Sequence, residues 1–182
     1  RDPQRAWAVN VDGLRNVLEV AQQRSLRQVF VPSSIAVFGS GCPKDPTPQD
    51  TVLQPSTIYG IAKVTGELLG EYSVARYGLD VRGLRLSGII SSKTEPGGGT
   101  TDYAVAIFYA ALKTGSYTCY LRPDSALPMM YMPDCLRAIL SLMEADASLL
   151  RHHTGFNVCG FSVTPAQLAA AIASRIPGFT IR

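Results

Sequence analysis

Gln28-Val29-Phe30-Val31-Pro32-Ser33-Ser34 is a short apolar run that stops on two hydroxyls, the pattern of a buried strand delivering polar side chains at its carboxyl end. Upstream, Val11, Leu14, Leu18 and Ala21 recur at helical spacing, so a helix feeds that strand. Downstream, a loop rich in Pro, Gly and Asp runs from Gly39 to Pro55. A second helix is predicted from Ser56, its expected N-cap, to Tyr77, where Gly78 takes the left-handed C-cap. A strand follows around Val81 to Leu86. Beyond the loop through Pro96-Gly97-Gly98-Gly99 comes a helix with Ala104, Phe108 and Leu112 on one face. Pro133 opens another, carrying Leu136, Ile139, Leu140 and Met143. Gly155 to Cys159 reads as a strand, Thr164 to Ile176 as a last helix, and a strand begins at Ile181. Strands alternating with helices of this length imply parallel pairing with right-handed crossovers, hence an α/β fold with a doubly wound parallel sheet. In such sheets the reactive groups collect outside the carboxyl ends of the strands. Ser33 and Ser34 lie at one such end, Ser87 to Ile90 at the next, and the helix from Ser56 joins the two.

Composition narrows the function classes. The chain has 182 residues, 46% hydrophobic and 17% charged, enough for one globular core and too apolar for a disordered segment. A single domain is expected. The net charge is only +3 and the basic residues are scattered, which argues against a nucleic-acid partner. Cys42, Cys119, Cys135 and Cys159 are far apart, without a Cys-x-x-Cys pair or a histidine at ligand spacing, so no metal site is expected. No apolar run approaches the roughly 20 residues that span a bilayer, and Arg1-Asp2-Pro3-Gln4 does not open a signal-peptide core. A soluble protein of the cytoplasm or the mitochondrial matrix, not a membrane protein, is the expectation.

The chemistry is carried by Ser56-Thr57-Ile58-Tyr59-Gly60-Ile61-Ala62-Lys63. At i and i+4, Tyr59 and Lys63 project from the same helix face, so the ammonium favours phenolate over phenol. The nearby helix N-terminus pulls the same way. Turning a tyrosine that titrates near pH 10 into a base at neutral pH takes about 3–4 kcal/mol, which a cation, a helix end and an oxidised nicotinamide can together supply. With a strand-end serine, the pair forms a set able to oxidise an alcohol. A second match, Tyr109-Ala110-Ala111-Leu112-Lys113, falls late in a helix with no serine-ended strand to accompany it and reads as a surface turn.

In order and spacing, Asn10-Val11-Asp12-Gly13-Leu14-Arg15-Asn16, then Pro32-Ser33-Ser34-Ile35-Ala36-Val37-Phe38-Gly39, then Tyr59-x-x-x-Lys63 resemble the extended short-chain dehydrogenase/reductase family, the NAD-dependent epimerase/dehydratase superfamily. Pro96-Gly97-Gly98-Gly99-Thr100-Thr101-Asp102-Tyr103 and Leu127-Pro128-Met129-Met130-Tyr131-Met132 are similar to members that oxidise the β-hydroxyl of L-threonine to 2-amino-3-oxobutanoate with NAD. The resemblance implies a Rossmann-like sheet with Tyr59 as general base and Lys63 depressing its pKa while holding the cofactor ribose. It also implies that Ser34 bonds the substrate hydroxyl, with Ser33 as a neighbour, and that Asn10 steadies the helix and a proton-relay water. Gly99, Thr100 and Thr101 would close over the amino acid's polar groups. Ser87, Gly88 and Ile89 would meet the cofactor together with Tyr59 and Lys63. Substrate-binding segments are implied around 88–135 and 145–182. The helices Asp12 to Gln23 and Ile58 to Tyr77 would form a homodimer interface.

Two departures from the family pattern stand out. Leu86-Ser87-Gly88 replaces the usual Tyr-Pro-Gly, and no Gly-x-x-Gly-x-x-Gly phosphate loop occurs in the 182 residues. The second departure leads to the expectation of a fragment lacking the N-terminal strands and glycine-rich unit that bind pyrophosphate. The alternatives are a nucleotide-sugar epimerase or related oxidoreductase using the same Tyr/Lys pair, and a catalytically inactive or regulatory truncated form. Ile35 and Ala36 stand where a dehydratase would want acidic residues, which weakens that option.

Overall fold

The computed structural model describes residues 2–182, which divide into two compact units. The first contains the chain up to Leu86 together with Ala138–Val158, and the second contains Ser87–Arg137 and Cys159–Arg182.

The first unit opens with helix α1 (Pro3–Trp7), capped by the Asp2 carboxylate on the amides of Gln4 and Arg5. One turn of π-helix, Ala8–Asp12, leads directly into α2 (Gly13–Gln23). Two extended segments follow, β1 (Val29–Phe30) and β2 (Ser33–Ser34), with a 3₁₀ turn at Ile35–Val37. Pro32 has no N–H for the ladder, so the expected single strand is split there. Helix α3 (Ile58–Tyr77) matches its expected span, but Thr57, not Ser56, caps it: the Thr57 side chain accepts from the amide of Gly60. Gly78 closes α3 at φ 65°, as expected. The next strand is also split, into β3 (Val81–Arg82) and β4 (Leu84–Leu86). β1 pairs with β3, β2 with β4, and β4 with β8 (Phe156–Asn157), all parallel.

The core of this unit is Leu18, Ala21, Val29, Val31, Leu79 and Val81. The buried side of α3 is built largely from small residues, Gly60, Ala62, Gly66, Gly70 and Ser73, which lets its backbone approach its neighbours closely. Arg82, only 2% exposed, bonds the Asp80 carboxylate and donates to the carbonyls of Leu142 and Ala145. Those carbonyls lie at the end of α5 (Met132–Glu144), so a buried guanidinium caps that helix.

In the second unit β5 (Gly88–Ile90) pairs in parallel with β7 (Leu127–Tyr131). The β7 strand also pairs with β9 (Phe161–Val163), and that pairing is antiparallel, departing from the all-parallel expectation. A separate parallel pair joins β6 (Ser116–Tyr117) to β10 (Thr180–Ile181). The core packs α4 (Tyr103–Thr114) and α6 (Pro165–Ala173) around Met129. The buried stripe of α4 is Tyr103, Ala104, Ile107 and Ala111, leaving Phe108 and Leu112 exposed. Among the described residues no helix is long and apolar enough to cross a membrane.

Candidate active site

Tyr59 is the second residue of α3 and Lys63 lies one turn further on. The Lys63 ammonium sits 5.5 Å from the centroid of the Tyr59 ring. It also donates to the Pro32 carbonyl at 2.9 Å, in the break between β1 and β2. Burial lowers the Lys63 pKa from its usual 10.5, because desolvation disfavours the charged form. Tyr59 itself is 43% exposed, so its phenol remains accessible.

The two serines of β2 divide by the pleat, since successive side chains point to opposite faces. Ser33 is buried and donates to Glu67 Oε1 at 2.5 Å. Ser33 is thus committed to the scaffold, and Ser34 carries the accessible hydroxyl. The Ser34 oxygen accepts from the Ala36 amide at 3.2 Å, and its own hydrogen has no acceptor among the described residues. What draws the start of α3 onto this turn is Gly60, next to Tyr59, which packs directly on the Ala36 carbonyl.

Asn10 lies in the π-helical turn, a distortion that frequently marks functional sites. Its Nδ2 donates to the Ala6 carbonyl at 2.9 Å. A cavity of about 180 Å³ is lined by Asn10, Leu14, Pro32, Ser33, Lys63 and Gly66 among others. It has room for water. In the first unit Lys63 thus stands over the Tyr59 ring and lines one cavity with Asn10 and Ser33, while Ser34 caps the turn on which Gly60 packs.

The second unit holds the remaining candidates. Gly88 opens β5, and a Cβ on it would stand 2.5 Å from Met129 Sδ and 2.7 Å from Thr101 Cβ. Thr101 and the start of β5 are therefore in close contact, with Ile89 next in register against Met130. Ser87, 6% exposed, has a buried hydroxyl with no partner among the described residues. An unpaired buried hydroxyl costs about 1–3 kcal/mol, and a ligand amide would satisfy it. In the glycine-rich loop Asp102 accepts from the amides of Gly98 and Gly99, each at 2.7 Å.

Sequence reasoning missed Glu67, Arg85 and Tyr120. Glu67 follows Tyr59 and Lys63 at the same four-residue spacing, a signal that was there to be read. The phenol of Tyr120 bonds the carbonyls of Gly99 and Thr100 from some twenty residues away, and no local pattern announces it.

The chain is similar to several known proteins. A mitochondrial L-threonine 3-dehydrogenase of Bos taurus is 53% identical over 172 residues, covering 94% of this chain and 46% of that protein. A solved GalE-like L-threonine dehydrogenase of Cupriavidus necator in its holo form superposes with a TM-score of 0.95 at 53% identity, over 99% of this chain and 58% of that one. A monomeric L-threonine 3-dehydrogenase from a metagenome gives 0.95 at 42% identity, with the same shares. The chain spans about half the length of the curated threonine dehydrogenases it matches. Residues 1–159 match the NAD dependent epimerase/dehydratase family, and the chain belongs to that family.

Proposed function

We propose that the protein acts in the NAD-dependent oxidation of L-threonine at its β-hydroxyl, giving 2-amino-3-oxobutanoate. The observation that carries this reading is the accessible Tyr59 phenol beside the Lys63 ammonium, with the uncommitted Ser34 hydrogen on the turn that α3 packs against. Threonine dehydrogenases more than 50% identical to this chain support the choice of substrate.

In this reading Ser34 donates to the substrate hydroxyl oxygen and Tyr59, as the phenolate that the Lys63 charge stabilises, takes its proton. The cavity beside Asn10 and Lys63 offers space for water to carry the proton on. Lys63 has hydrogens beyond the one given to Pro32, and these suit the hydroxyls of a ribose. Ser87, with its unpaired buried hydroxyl, and the neighbouring Gly88 and Ile89 suit a nicotinamide amide. NAD, when bound, accepts the hydride from the β-carbon. Gly99, Thr100 and Thr101 are assigned to the carboxylate and ammonium of the amino acid. The compartment in this reading is the cytoplasm or the mitochondrial matrix. The test offers the whole protein L-threonine and UDP-sugars side by side with NAD. Threonine turnover is expected, and a clear preference for the sugar would replace this reading with an epimerase.

A homodimer through α2 and α3 belongs to the same proposal. Val17, Val20, Ile61, Leu68 and Tyr72 on these helices are exposed apolar side chains, the kind of surface a two-fold interface covers. Sedimentation of the whole protein at micromolar concentration is expected to show a dimer, and Leu68→Glu is expected to split it. A monomer before mutation would instead match the metagenomic relative described as monomeric.

A further inference from the structure

Much of the loop before α4 is tied down by hydrogen bonds. Asp102 occupies the N-cap position of α4, yet its side chain caps nothing in the helix. It turns back to hold the amides of Gly98 and Gly99. The missing cap comes from Tyr120, whose phenolic oxygen accepts from the Tyr103 amide at 3.2 Å. The same phenol reaches the carbonyls of Gly99 and Thr100, each at 3.1 Å, and donates its one hydrogen there. Amides on one side of the loop and carbonyls on the other are thus held from outside. The amides and hydroxyls of Thr100 and Thr101 are left without partners among the described residues, a set of donors suited to a carboxylate.

Tyr120 is 61% exposed, so the core makes little demand on its ring, and its specific contribution is the hydroxyl. Desolvation, the largest cause, raises the pKa of that phenol above its usual 10.0, with the Asp102 charge adding to the effect and the Tyr103 amide opposing it. The donor hydrogen is therefore kept across the neutral range. We propose that Tyr120 is a positioning residue that sets the affinity for the amino-acid substrate by holding Thr100 and Thr101 in their receiving geometry. This rests on the reading of the loop as the amino-acid subsite.

Preorganisation of a binding loop appears as affinity rather than as chemistry. In the whole protein, Tyr120→Phe keeps the ring and removes the latch. The KM for L-threonine is expected to rise about tenfold with kcat within about twofold, the pattern of lost uniform binding, and the KM for NAD is expected to be unchanged. Amide exchange over residues 98–103 is expected to accelerate in the same variant. Tyr109→Phe, which removes a phenol from α4 that makes no bond to the loop, is the control and is expected to change neither. A threonine KM within twofold of the parent, or loop exchange unchanged from the parent, overturns the proposal. If the parent turns over another alcohol and not threonine, the threonine reading fails, and the KM ratio for that alcohol with the exchange data still decides the role of Tyr120.

Discussion

A side chain on Gly60 would place its Cβ 2.2 Å from the Ala36 carbonyl oxygen and 2.6 Å from Pro55 Cβ. The hydroxyl of Ser34 caps the turn that contains Ala36, and Tyr59 immediately precedes Gly60. The absence of a single Cβ therefore sets how closely the start of α3 approaches the turn that Ser34 caps. Gly60→Ala must push the start of α3 away from the turn, because the atoms it meets first are backbone. Overpacking of this kind costs about 1–3 kcal/mol, and a displacement near 1 Å at a reacting pair lowers turnover about a hundredfold. We expect both, read as a lower melting temperature and a reduced kcat in the whole protein.

Tyr59→Phe is expected to lower kcat by about 10²–10⁴-fold, the range of a general base. Threonine affinity and folding stability should be nearly unchanged, since the phenol hydroxyl has no partner among the described residues and the residue is 43% exposed. Steady-state kinetics and a melting curve check this together. Unchanged turnover in the variant would remove Tyr59 from the chemistry.

Lys63→Met is expected to act on two counts. It removes the cation over the Tyr59 ring and strips the Pro32 carbonyl of its donor. The depressed pKa of Lys63 also fixes the sign of a pH effect on stability. The unfolded chain binds the proton more tightly than the fold, so stability rises as pH climbs through the folded pKa toward 10.5. The variant should lose that rise, which denaturation at a series of alkaline pH values will show.

The elements with long apolar periods were legible in the sequence: α3 runs from Ile58 to Tyr77 as expected and ends on Gly78. The strands were less so. β6 and β9 are two and three residues long, too short for an alternation to register, and the antiparallel pairing of β9 is a tertiary choice that no local spacing dictates. Of the candidate site, Tyr59 and Lys63 could be placed on one helix face because helix periodicity fixes their directions, whereas the choice of Ser34 rests on the family resemblance. The division of labour between Ser33 and Ser34 depends on Glu67, which is 34 positions away from Ser33. The loop contact of Tyr120 spans 20 residues, again beyond any local pattern.

Asp80 gives an acid-side prediction. Its carboxyl is held below the usual 3.8, first by the hydrogen bonds from Arg82, with Gln28 assisting and desolvation opposing. A depressed carboxyl pKa contributes stability that is complete above 3.8 and is lost as pH falls through the lower folded value. Asp80→Asn should flatten that part of the acid limb, measured by urea midpoints from about pH 5 to pH 2.

The pair Glu67 and Arg85 supports the last prediction. Arg85 grips the carboxylate through Nε to Oε1 at 2.9 Å and Nη2 to Oε2 at 2.8 Å, and both side chains are almost fully buried. Its remaining nitrogen donates to the Gln49 carbonyl and to Asn157 Oδ1, so one guanidinium joins α3, the loop before it and β8. Ser33 completes the shell of the carboxylate. Removing one partner leaves a buried charge uncompensated, and Arg85→Met is expected to destabilise the protein by about 3–5 kcal/mol. Replacing both charges, Glu67→Leu with Arg85→Met, should cost less than the sum of the two single changes, because no charge is then stranded. Loss of the Glu67 anchor also frees Ser33 and, through the next peptide, Ser34. The Glu67→Leu variant should therefore lose turnover even where it stays folded. Denaturant titration of the four proteins in the cycle, with kcat measured on each, checks both claims, and strict additivity of the two stability changes would show that the pair is not coupled.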